Sequence, residues 1–289
     1  MARDEPRTRP DPSQKVARKV EAITDKVAAK VESAQAELAR KTAQLEELSA
    51  QLAALDVWTR PEPGSRKPRF SRDEIAAAAV RIADEEGFEA LSMRRLAAEL
   101  DAGTMTLYHY VKTKDELLTL VNDSVMGEVL VPPGELPTDW RSAITVVANR
   151  SRQALERHPW ALDIRDDPAP GPNGVRHFDQ TMQTVMALDL SLGERFELVT
   201  AVDEYVFGYC LMQRANATDD HEAFLETEFV GYVDGLIDQG DLPALAAIKA
   251  EHGTSGAFEV MQRQGNDPGR FDRNLARLLD GFEADYLNR

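Results

Sequence analysis

Residues 92–114, SMRRLAAELDAGTMTLYHYVKTK, constrain this chain more than any other stretch. Apolar Leu96, Ala97 and Leu100 recur at helical spacing before Asp101-Ala102-Gly103, and Leu107 and Val111 recur at helical spacing after it. Two short helices joined by a three-residue turn satisfy that pattern, and the small Ala97 lets them approach closely. This is a helix-turn-helix, an arrangement whose second helix can enter a DNA major groove. Ser71-Arg72-Asp73-Glu74 is a capping box with Phe70 and Ile75 placed as a staple, and it opens a helix carrying Ile75, Ala78, Ala79 and Ile82. Ser92 caps the next helix between Leu91 and Leu96, and Thr113-Lys114-Asp115-Glu116 reads as a further capping box.

The specific part is Thr106 to Leu118, TLYHYVKTKDELL, in which an aromatic helix runs into a Lys-x-Lys corner and a new helix. It resembles the tetracycline-repressor (TetR) family. Arg157-His158-Pro159-Trp160, Gly171-Pro172-Asn173-Gly174, Leu190-Ser191-Leu192 and Phe271 through Phe282 resemble that family's C-terminal domain, so the likeness covers roughly residues 66–289. One departure is Asp101, where the family's turn usually has Gly; Asp tolerates a left-handed backbone better than most residues.

The chain has 289 residues with a net charge of −16, an unusual balance for a DNA binder. The distribution resolves this. Residues 1–65 carry 11 basic and 11 acidic side chains, residues 66–115 carry 9 and 9, and residues 116–289 carry 14 and 30. A neutral head on an acidic body orients itself, because phosphates repel only the body. The N-terminus is Pro- and Arg-rich with no apolar segment, which argues against a signal peptide, and no run of about 18 apolar residues suggests a membrane span. One cysteine, Cys210 among apolar neighbours, excludes an intrachain disulfide and suits a buried thiol in a reducing cytoplasm.

The expected fold is all-α. Residues 1–14 read as a disordered tail, 15–57 as a coiled-coil helix, 58–69 as a linker, 70–115 as the helix-turn-helix domain and 116–289 as an all-helical effector-binding and dimerisation domain. Between Lys15 and Leu55 there is no Gly or Pro, and Val31, Leu38, Leu45 and Leu52 fall every seventh residue, with Ala34, Lys41, Leu48 and Leu55 between them. A stutter interrupts the phase near Val27. The e and g positions are mostly uncharged and specify no partner, so self-pairing, folding back and joining a second dimer all stay open. The linker's Arg66, Lys67 and Arg69 form a basic segment that reads equally as a solvated hinge or as an arm to phosphates or a minor groove. Helical patterns follow at about 140–157, 174–189, 193–215, 221–238 and 270–287, with Pro- and Gly-rich breaks near 163–174 and 239–256.

The resemblance implies that operator DNA is contacted by Met93, Arg94, Thr104, Met105, Thr106, Tyr108, His109, Tyr110 and Lys114. Arg94 suits a guanine edge or phosphate, the two threonines suit bases, and the tyrosines and Lys114 suit phosphates. It also implies a homodimer built from about 193–216 and 270–287, through Phe196, Val199, Val202, Val206, Phe271, Leu275, Leu278, Leu279 and Phe282. It further implies release from a palindromic operator by a small-molecule effector, with Trp160, His177, Phe178, Thr181, Met182, Val185, Tyr205, Tyr209, Met212 and Gln213 as candidate pocket residues. Neither His158 nor His177 has a spaced second ligand, so no metal is expected, and no cofactor either. Nor is there a phosphate loop or nucleophile elbow to suggest an enzyme. The competing reading is a ligand-independent DNA-bridging scaffold whose coiled coil couples dimers.

Overall fold

The structure is a computed structural model and describes residues 12–61, 69–164, 170–216 and 229–287. Most of the expected tail, Arg66 and Lys67 of the basic segment, and the 221–228 part of the fourth body helix lie outside those residues. Every regular element among the described residues is helical, as expected of an all-α chain.

Two units divide at Asp56/Val57, and one helix crosses the division. Helix α1, Pro12–Thr59, runs unbroken because nothing in the heptad stretch interrupts a strong helix former. Along it Val31, Leu38, Leu45, Leu48 and Leu55 are exposed. It starts before Lys15 and continues into the expected linker.

In the second unit α2 (Arg72–Glu86), α3 (Met93–Glu99) and α4 (Thr104–Leu107) form the head. Helix α5 (Lys114–Val129) packs on α2 and leads to α6 (Trp140–Arg157), α7 (Pro172–Val185) and α8 (Leu192–Asn216). After these come α9 (Val230–Asp238), α10 (Pro243–His252), α11 (Thr254–Gly265) and α12 (Arg270–Phe282). The expected break at 239–256 is therefore mostly two helices. Pro243 occupies the first position of α10, where a missing N–H costs nothing, and Gly240 and Gly253 supply positive φ at the corners.

Two cores hold this unit. The first joins Ile75, Ala79 and Ile82 of α2 to Leu96, Leu107, Val111, Leu117, Leu120 and Val121, and it includes Val57 from the end of α1. The second gathers Ile144 and Ala148 of α6, Val185 of α7, Leu198, Val202 and Val206 of α8 and Phe271, Leu275 and Leu279 of α12. Most of the residues assigned from sequence to a dimer seam thus pack inside one chain. Val199, Val202, Val206, Phe271, Leu275 and Leu279 are buried here, and Leu278 and Phe282 pack on the same core. The apolar side chains that α8 leaves exposed are Leu192, Phe196, Phe207, Leu211 and Met212.

Candidate nucleic-acid interface

The head is built by caps that the sequence announces. The Ser71 hydroxyl accepts from the Glu74 amide at 3.1 Å while the Glu74 carboxylate accepts from the Ser71 amide at 2.7 Å. Ser92 accepts from the Arg95 amide at 3.2 Å. The box expected at Thr113 forms only half. Its hydroxyl accepts from the Glu116 amide, but the Glu116 carboxylate turns to the Lys112 amide at 2.8 Å and to Arg60. Asp101 stands at φ 47°, the left-handed conformation the tight turn requires. Arg69 donates to the Asp101 carbonyl and lies over the Phe70 ring at 5.3 Å, so this member of the basic segment holds the turn.

Helix α4 is a single turn, extended by tight turns in which Tyr110 N and Val111 N both donate to the Leu107 carbonyl at 2.9 Å. Leu107 and Val111 are fully buried, which rotates the opposite face outward. On that face Met105 is 72% exposed and Tyr108 43%, His109 is exposed and Thr104 and Thr106 are half-buried; beside it Arg94 of α3 and Lys114 of α5 are exposed and Met93 of α3 is half-buried. Tyr110 departs from its sequence assignment. It is 4% exposed, its hydroxyl accepts from the Phe70 amide at 3.4 Å, and its ring meets Phe70 edge-on, so it braces the reading segment from beneath. The neighbouring Arg95 is spent on Glu86 and Glu99, whose hydrogen bonds hold its guanidinium fully charged.

Head and body are joined by a motif that the sequence showed without its role. His158 is 2% exposed, with Nδ1 2.7 Å from Asp84 and Nε2 3.2 Å from Glu128. Trp160 donates its indole N–H to the same Asp84 oxygen at 2.7 Å and stacks on Phe88. Trp160 therefore belongs to this joint, in the first core, and not to the group assigned to the effector pocket.

The rest of that group divides. Val185 and Tyr209 are in the second core, Met182 and Tyr205 pack on it, and Thr181 is buried, donating to the His177 carbonyl at 2.8 Å. Tyr205, Tyr209 and Phe271 interlock with ring centroids 5.0–6.2 Å apart. Tyr205 donates to the Phe271 carbonyl at 2.9 Å and Gln213 donates to the Tyr209 hydroxyl at 2.9 Å. Burial lowers the His177 pKa. Phe178 stacks on Phe196 and is 51% exposed, and Met212 is 59% exposed, so these two face outward. Cys210 is a buried thiol pushed up to about 11, as its apolar setting suggested.

Three residues whose role the sequence does not show also matter. Trp58 and Arg60 were assigned to a linker, and Asp123 was unassigned although a carboxylate among Leu120, Val121 and Val125 is a visible anomaly. Asp123 caps α7, accepting from the amides of Asn173 at 2.8 Å and Gly174 at 3.0 Å.

Known proteins fit this architecture along its length. Residues 75–121 match the family of bacterial regulatory proteins of tetR type, and residues 132–286 match the tetracyclin repressor-like C-terminal domain. The HTH-type transcriptional repressor DrrR1 of Streptomyces coeruleorubidus is 35% identical over 79% of this chain and 83% of its own. An HTH-type transcriptional regulator of Saccharopolyspora erythraea is 36% identical over 84% of this chain and 98% of its own. Among solved structures, the TetR family protein ActR of Streptomyces coelicolor in complex with actinorhodin shares 28% identity and a TM-score of 0.54, covering 74% of this chain and 97% of that one. Among the described residues no helix is long and apolar enough to cross a membrane. From its caps, its turn and its matched length, the chain belongs to the TetR family of transcriptional repressors.

Proposed function

We propose that this repressor reads a palindromic operator as a homodimer, with Arg94, Thr104, Met105, Thr106, Tyr108, His109 and Lys114 as the contacting side chains and Met93 supporting them. The observation that carries the reading is the rotation of α4: burial of Leu107 and Val111 leaves the polar and aromatic side of the segment outward. Arg94 and the threonines read base edges, while Tyr108 and Lys114 anchor phosphates. One short helix buries too little surface for specificity, so two heads act together on half-sites about one helical turn apart. The exposed row on α8, with Phe207 and Leu211 at its centre, supplies the dimer contact. The exposed heptad stripe of α1 supports a second self-contact between helices of this kind.

A small-molecule effector releases the operator, a reading supported by the complex of the similar ActR with actinorhodin. His177, Thr181 and Met182 of α7 with Tyr205 and Gln213 of α8 are the best-placed group, polar tips against an aromatic wall that suits a ligand with rings. The chain works by binding and not by turnover, in the cytoplasm with its DNA. The test is selection of duplexes from a random library by the full chain, followed by footprinting. The expected outcome is one enriched palindrome protected on two half-sites, its preference altered by Thr106→Ala. An unenriched library would refute the reading.

A further inference from the structure

The last turn of α1 enters the second unit and ends between the body and the reading segment. Val57 is fully buried in the first core. The Trp58 ring lies against Gly171, so closely that a side chain at 171 would overlap both the ring and the Asp123 carboxylate. Gly171 immediately precedes α7, whose first amides Asp123 caps and whose Asn173 side chain donates to the Asp123 carbonyl at 3.1 Å. Two residues on, Arg60 grips Glu116 with two nitrogens at 3.2 and 2.8 Å and donates to the Tyr110 carbonyl at 3.1 Å. Arg72 donates to the carbonyl of Arg60 at 2.8 Å and to that of Tyr110 at 3.4 Å. Glu116, 3% exposed, also accepts from the Lys112 amide.

The backbone groups at the end of a helical segment need partners from elsewhere. Here the Tyr110 carbonyl and the Lys112 amide are satisfied by a buried fork whose cation comes from 50 residues upstream in the chain. These two groups lie between Tyr108 and Lys114, the side chains proposed to hold phosphates. The other end of the same short segment rests on the N-terminus of α7, the helix that carries His177, Thr181 and Met182.

We propose that residues 57–60 are a strap that couples α7 to the end of the reading segment, with Trp58 and Arg60 acting as positioning residues for operator contact. The strap lies upstream of the matched family domains, which begin at residue 75. A displacement of the α7 N-terminus moves Trp58, and through Arg60 it moves the carbonyl and amide that fix Tyr108 and Lys114. The strap rests on the proposed DNA reading for its consequence but not for its mechanics.

The test uses the full chain and a duplex that the wild-type chain has selected from a random library, with a scrambled duplex as control. Trp58→Ala, Trp58→Phe and the double variant Arg60→Met with Glu116→Gln are compared with a remote change on α1 outside the heptad stripe, Arg40→Ala. The double variant removes both charges together, so neither is left buried alone. Operator affinity should fall about three- to thirtyfold in the Trp58→Ala and double variants, the range for coupling-network changes. Scrambled-duplex binding and Arg40→Ala should stay at wild type. Amide exchange at Lys112 should accelerate in both, and in Trp58→Ala at Asn173 and Gly174 as well. A folded Trp58→Ala chain with unchanged exchange at 110–112 and unchanged operator affinity overturns the strap. Should the double variant fail to fold, Trp58→Phe, which keeps an aromatic ring but shortens it, decides by the same exchange measurement. If no duplex is selected, the DNA reading has failed; exchange at Lys112 on replacing Trp58 still supports the strap if it rises and refutes it if it does not.

Discussion

Tyr108 and Tyr110 stand two residues apart, and one turn of backbone sends the first to solvent and the second into the core. Their substitutions should therefore separate cleanly. Tyr108→Ala and Lys114→Ala should weaken operator binding without moving the melting curve. Loss of Lys114 should also reduce the slope of log affinity against log salt by about one. Tyr110→Ala should instead cost about 3–5 kcal/mol of stability, as large aromatic truncations in cores do, measured by urea unfolding.

At the scale of elements, α1 and α8 show how far a pattern carries. An unbroken run of helix formers announced α1, but its end did not follow from composition. Thr59 through Pro63 has the residues of a linker, yet Val57, Trp58 and Arg60 are fixed by partners 50 or more residues away in sequence. Deleting residues 1–54 should accordingly leave operator binding intact, whereas deletion through Arg60 should abolish it; anisotropy titration of both truncations checks this. On α8 the apolar pattern covered nearly the whole circumference, so the sequence could not tell core from interface. Packing made the choice: Val199, Val202 and Val206 went inside and Phe207 and Leu211 stayed out. Phe207→Glu should convert the dimer to monomers in light scattering with little change in helix content, since a charge on an exposed ring position disturbs only an intermolecular contact.

For the whole molecule, the acidic body and neutral head predict weak affinity for random DNA and reliance on a few placed contacts. Binding to a scrambled duplex should vanish at about 0.15 M salt while operator binding persists, because few released counterions accompany a neutral head. The sequence by itself determined the all-helical class, the head with its caps, the left-handed turn at Asp101 and the inward positions of Leu107 and Val111. All of these are local: a cap, a turn and a helical face are set by residues within a few positions of one another. Only the tertiary structure decided what depends on distant partners. It sank Tyr110, moved Trp160 from the effector group to the joint at Asp84, and drew the presumed dimer seam into the core of one chain. It also turned the end of a supposed linker into a strap under the reading segment. The physical reason is the same in each case, since burial belongs to the assembled set of helices and a side chain's own neighbours in sequence do not specify which other helix will cover it.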